Sequence, residues 1–168
     1  AYGAGKLDLL QREFLAFHVS GGTTEALLVT PDAKNVINCK RIWGSLDLKA
    51  GQLIDRVGNM LGLAFPAGPE LERLALKSQN TFSPKAVMRG GCCSLSGVQN
   101  QCQKLLAQGE AAEDVALFCL LSVFCAIDEM TKQLITSFSG LPLLYAGGVM
   151  SNSIIRENLK KTYDCSFC

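Results

Sequence analysis

From Phe14 to Thr30 an apolar run meets two glycines and then resumes, a pattern that predicts a strand, a tight turn and a second strand. Lys6 to Glu13 reads as a short polar helix or lead-in. Val36 to Trp43 predicts a third strand, reached through the turn Pro31-Asp32-Ala33, and three strands in succession favour antiparallel neighbours. The periodicity then changes. Leu53, Ile54, Val57, Met60 and Leu61 recur at helical spacing, so a helix is expected from Leu48 to Leu61, capped by Asp47 and ended by Gly62. Further helices are expected over Glu70–Lys77, Val98–Gln108, Glu113–Thr136 and Ile154–Lys161, with Ser96 and Gln99 at capping-box spacing before the second of these. Arg89 to Gly97 predicts a hairpin or loop, and Leu141 to Ala146 a short buried strand. This alternation of strands and helices belongs to the α/β class.

Composition narrows the picture. A chain of 168 residues, 48% of them hydrophobic, is long enough to bury a full core in one domain spanning residues 1–168. Sixteen basic against fifteen acidic residues give a net charge of +1, so no overall pull toward nucleic acid or membrane is expected, although a local basic patch is compatible with it. The apolar run Val115 to Ile127 is too short for a membrane span and reads as a buried helix. Ala1 to Lys6 has neither the basic start nor the apolar core of a secretory signal, so a cytoplasmic protein, and a fragment of a longer one, is expected. Accordingly the eight cysteines are expected to be mostly reduced, buried thiols. Cys165 and Cys168 have zinc-knuckle or redox spacing, but no second Cys or His pair accompanies them, and no metal role is assigned.

Three stretches carry chemistry. At Ser20-Gly21-Gly22 the paired glycines let backbone N–H groups approach a ligand, and Ser20, Thr23 and Thr24 add hydroxyls; this suits phosphate oxygens, and a plain hairpin tip looks much the same. On the helix after it, Gly51, Asp55 and Gly58 share one face, so small residues flank a single carboxylate and leave room for a ligand. The alternative is a solvated carboxylate paired with Arg56 or a neighbour. Beyond lies the rigid turn Phe65 to Pro69, where Gly68 permits close backbone approach. Finally, Gly147-Gly148 followed by Asn152 marks a strand running into a helix, a ready phosphate or ribose site, with Asn152 also placed to cap that helix. The sequence points to no catalytic residue.

In their order these stretches resemble the TsaD family, also called YgjD, glycoprotease or O-sialoglycoprotein endopeptidase-like proteins. The resemblance rests on His18-Val-Ser-Gly-Gly-Thr-Thr-Glu25, Gly51-Gln-Leu-Ile-Asp-Arg56, Leu61-Gly-Leu-Ala-Phe-Pro-Ala-Gly-Pro69, Ser94-Leu-Ser-Gly97 and Ala146-Gly-Gly-Val-Met-Ser-Asn-Ser153. It implies an RNase H-like lobe of the actin-like ATPase (ASKHA) superfamily, a mixed sheet flanked by helices. It also implies transfer of a threonylcarbamoyl group from its adenylate to a tRNA adenosine, with tRNA and other proteins of threonylcarbamoyladenosine synthesis as partners. By position, His18, Val19, Ser20, Gly21 and Gly22 hold phosphates or the acyl-adenylate, Asp55 and Gly68 the ribose and nucleotide, and Gly147, Gly148 and Asn152 complete the pocket. The family's divalent metal is held by an upstream HxxxH pair and a DN aspartate; this sequence has one histidine and no such DN, and Thr23 stands where many relatives have His. The resemblance therefore implies a nucleotide-binding lobe that does not bind the metal or transfer the group alone, and that self-associates through the face of a missing second lobe. A non-catalytic scaffold or assembly subunit of the same superfamily is the alternative. No Ser/His/Asp or HExxH arrangement supports the peptidase label.

Overall fold

The computed structural model describes residue 5 and residues 7–168. Of the stretch Ala1 to Lys6 read above, only Gly5 falls within that range. After a 3-10 turn (Leu7–Gln11) come strands β1 (Phe14–Val19), β2 (Thr24–Asp32) and β3 (Val36–Gly44), then helices α1 (Ala50–Met60) and α2 (Gly68–Ala75). A small hairpin of β4 (Val87–Arg89) and β5 (Cys92–Ser94) leads to α3 (Ser96–Ala107) and the long α4 (Ala112–Ser137). Strand β6 (Leu143–Ala146), a 3-10 turn (Gly148–Ser151), α5 (Ser153–Thr162) and β7 (Cys165–Phe167) complete the order.

The main sheet runs β3-β2-β1-β6-β7. Strands β1 to β3 are antiparallel neighbours, whereas β6 lies parallel to β1 and β7 parallel to β6, so the sheet is mixed. Strand β1 is central, which explains its nearly continuous apolar sequence: Leu15, Phe17 and Val19 face the main core, while Phe14 faces a second, smaller one with Leu9, Val29 and Leu144. The main core is closed by α4, whose Val115, Cys119, Leu120, Val123, Ile127, Met130 and Leu134 are buried along one broad stripe. Phe17, Tyr145 and Phe167 sit at paired positions on β1, β6 and β7 and stack in series, with ring centroids 4.9 and 5.2 Å apart.

The strands and helices lie within about two residues of where the hydrophobic pattern places them, and three departures have a physical cause. Helix α1 begins two residues later than expected, with Lys49 at its N-cap, because Asp47 is engaged elsewhere. Its carboxylate accepts the hydroxyls of Ser94 and Ser96, each at 2.6 Å, and the Leu95 N–H at 2.8 Å, so it caps α3 rather than α1. Ser96 consequently forms no capping box with Gln99; Gln99 Oε1 instead accepts from Arg56. The third departure is β7, an edge strand that the sequence pattern does not announce.

Burial draws the Asp47 carboxyl upward, but the Ser94 and Ser96 hydroxyls and the Leu95 and Ser96 N–H groups outweigh it and hold the group well below the usual carboxylate range. A depressed folded value adds stability that is complete above the unfolded value of about 4 and is lost as pH falls below it. Asp47→Ala is therefore expected to cost about 1–2 kcal/mol at neutral pH, as loss of a helix cap does. It should also flatten the dependence of stability on pH below about 4. Urea unfolding at pH 7 and at pH 3 checks both; an unchanged pH slope in the variant contradicts the assignment.

All eight cysteines are free thiols. Only Cys93, Cys102 and Cys119 are buried, however, which corrects the expectation that most are. Cys39 points outward from the exposed edge strand β3 and Cys168 lies beyond β7, so sheet position rather than side-chain polarity decides. Burial pushes the Cys93 thiol up to about 11. A hydrogen bond with Cys102, and then burial, raise Cys119 as well. Among the described residues, no helix is long and apolar enough to cross a membrane.

Candidate functional site

The turn between β1 and β2 is built to receive a helix start. Ser20 N–H donates to the Thr23 carbonyl at 2.8 Å and closes the turn, while the Ser20 carbonyl accepts from Gly51 N–H at 3.2 Å. Thr24 Oγ1 accepts the neighbouring Ala50 N–H at 2.8 Å. Backbone meets backbone here: a Cβ on Gly51 would lie 2.6 Å from Gly21 Cα. One helical turn on, Asp55 Oδ1 accepts the Ala67 N–H at 2.9 Å and ties α1 to the turn before α2. Asp55 does not pair with Arg56, which reaches Gln99 instead.

The Gly51–Asp55–Gly58 face is expected from sequence to leave room for a ligand beside the carboxylate, and Gly51 and Asp55 do line one cleft, although both glycines are closely packed. The Gly21 main chain fills the space beside Gly51, and the Ala67 methyl fills the space beside Gly58, since a missing Cβ admits neighbouring protein atoms as readily as a ligand. Open space remains at Gly68, where an added Cβ would meet nothing nearer than Ile54 Cγ2 at 4.0 Å.

The opposite wall comes from the end of β6. Gly147 has φ +103° and presses against β1 so closely that a Cβ there would overlap the Val19 carbonyl oxygen. Asn152 caps α5, its Oδ1 accepting the Ile155 N–H at 3.1 Å and its Nδ2 donating to Glu72 Oε2 at 3.0 Å. Glu72 Oε1 accepts both the Ser153 N–H, at 2.7 Å, and the Ser153 hydroxyl. A carboxylate from α2 thus sits on the positive end of α5.

These walls enclose a cleft of about 360 Å³. Gly21, Asp55, Gly68, Gly148 and Asn152, all singled out from sequence, line it. The other five do not. His18 is exposed on β1, the Val19 side chain is in the core, Ser20 is committed to the turn, Gly22 lies outside the lining, and Gly147 braces the wall from behind. Glu72 lines the cleft and is absent from the sequence-derived set; its position one helical turn after Gly68, on the same face, is the signal that could have marked it. Among the described residues, no basic side chain lines the cleft. Asp55 has one bonded lone pair of about four, whereas Glu72 has three engaged, so Asp55 holds most of the unused acceptor capacity.

The model of the TsaD family, tRNA N6-adenosine threonylcarbamoyltransferase, matches residues 6–168. The chain belongs to this family. Among TsaD relatives, the tRNA N6-adenosine threonylcarbamoyltransferase of Archaeoglobus fulgidus is 29% identical over 157 residues, covering 93% of this chain and 47% of the relative. That of Thermococcus kodakarensis is 30% identical over 148 residues, 87% of this chain and 44% of the relative. The chain therefore spans less than half the length of these relatives. A crystal structure of full-length HypF in the phosphate- and nucleotide-bound form superposes with a TM-score of 0.76 at 10% identity, covering 94% of this chain and 36% of that one. A likeness at that identity is one of fold, here a mixed sheet flanked by helices, as expected.

Among the described residues no group of three His, Cys, Asp or Glu side chains converges on a point. The single imidazole, His18, stands outside the cleft lining.

Proposed function

We propose that the cleft is the nucleotide site of a threonylcarbamoyl transferase acting on a tRNA adenosine, and that residues 1–168 form its nucleotide-binding lobe. The carrying observation is the convergence of one underused carboxylate, Asp55, with the backbone of Gly21, Gly68 and Gly148 in a single cleft. Asp55 Oδ2 accepts hydrogen bonds from the vicinal ribose hydroxyls, which are donors that a carboxylate suits. Phosphate oxygens turn away from Asp55 and Glu72 toward the Ser20–Gly22 turn, since like charges repel and, among the described residues, no cation lines the cleft to offset them. A metal centre requires donors beyond this set, so the chain alone transfers no threonylcarbamoyl group. tRNA and the other proteins of the pathway act on the complete assembly. Self-association belongs to the same reading, supported by large apolar side chains left exposed at Leu46 and Leu76.

Calorimetric titration with AMP tests the site. Asp55→Asn keeps an oxygen for Ala67 N–H and removes the charge facing the ribose, and is expected to weaken AMP about 10- to 100-fold, the range for a hydrogen bond to a charged group. The 2′,3′-dideoxy analogue should bind the wild type as weakly, and the variant should no longer distinguish the two ligands. Equal affinity of the wild type for AMP and the dideoxy analogue would remove ribose from the Asp55 site.

A further inference from the structure

Among the described residues Phe65, 83% exposed, is the most exposed of the large apolar side chains, yet it lines the cleft and is the one aromatic side chain there. We infer that Phe65 is the stacking platform for the purine base of the bound nucleotide, an inference that rests on the nucleotide reading of the cleft. An apolar ring held in water at the rim of a cavity is a surface that a ligand can cover, and a flat π-face is what it covers best.

The main chain fixes the turn that carries the ring. Leu63 N–H donates to the Gly58 carbonyl at 2.9 Å on one side of it. On the other, Ala67 N–H donates to Asp55 Oδ1 at 2.9 Å. The residue proposed to hold the ribose therefore also fixes the turn that presents the ring, so sugar and base are recognised by one tied unit. Pro66 and Pro69 flank the ring along the same wall and add stiffness. Base edges, by contrast, find few free partners. Ser151 Oγ donates to the Gly148 carbonyl at 2.6 Å, and the Asn152 amide is taken up by Glu72 and Ile155. Recognition by the face of the base, rather than by its edge, is what this lining supports.

Adenosine and methyl β-D-ribofuranoside, titrated by NMR into the wild type, Phe65→Ala, Phe65→Tyr and Asp55→Asn, separate the two roles. Because the ring is exposed, Phe65→Ala is expected to keep the wild-type thermal midpoint. It should bind adenosine about tenfold more weakly while holding the riboside unchanged. Phe65→Tyr should restore adenosine, and Asp55→Asn should weaken both ligands. In a Phe65→Trp variant, adenosine should quench the new indole emission. Adenosine affinity unchanged in Phe65→Ala overturns the stacking role and leaves the nucleotide site standing. A loss shared equally by adenosine and riboside assigns Phe65 to the framework and also overturns the role. A wild type that binds neither ligand removes the nucleotide reading itself, and the stacking role with it.

Discussion

Gly147→Ala is expected to lower the thermal midpoint by about 10 °C, corresponding to about 3–4 kcal/mol for a domain of this size. Two costs combine. At φ +103° an L side chain is strained, and the added Cβ overlaps the Val19 carbonyl at the end of β1. Neither can relax cheaply, because β1 and β6 are locked as parallel neighbours from Leu15–Leu143 to His18–Ala146. Gly62→Ala supplies the comparison: it shares the positive φ, at +76°, but meets nothing within 4 Å, so only the torsional cost of about 1 kcal/mol should remain. Differential scanning calorimetry of the two variants reads the difference. If Gly147→Ala melts no lower than Gly62→Ala, the close approach to β1 is not an essential contact.

Glu72→Ala is expected to cost about 2–4 kcal/mol by removing three hydrogen bonds, two of them to the first residue of α5. Glu72→Gln should recover only part. Its amide oxygen can accept from Ser153, but its NH2 then faces the Asn152 NH2, placing two donors against each other. Loss of the negative charge at the start of α5 adds to the cost. Urea unfolding ranks the three proteins, and amide exchange should show the first turn of α5 opening ahead of the rest. Uniform loss of protection, with α5 no faster than α4, would mean that Glu72 supports the fold generally rather than this junction.

What the sequence makes legible, and what it hides, divides by distance along the chain. Strands β1 and β2 and helices α1 and α4 follow from local periodicity, because each buries a face that its own residues define. The cleft was legible in part for the same reason: Gly21, Asp55, Gly68, Gly148 and Asn152 stand at turns or on helix faces with local signatures. Glu72 and Asp47 escape because their partners lie far off, Ser153 and Asn152 for one and Ser94 to Ser96 for the other, and no short-range pattern records such pairings. Gly51 and Gly58 illustrate a further limit. A sequence shows that space is provided, not whether the protein's own atoms or a ligand fill it. Strand β7 is too short for a period and exists only as a neighbour of β6, extended by the Cys168 N–H on the Tyr145 carbonyl at 2.9 Å.

The parallel pairing of β1 with β6 also sets a timetable. On the ribosome the β1–β2–β3 meander can form as soon as it emerges, but Leu15 must wait for Leu143, roughly 130 residues later, which is about 6–25 s at ordinary synthesis rates. Throughout that interval the apolar edge of β1 is an open template for another nascent chain. Slower translation between α1 and β6 lengthens that exposure, so codon choice in this stretch, and not only the residues encoded, bears on the yield of folded protein.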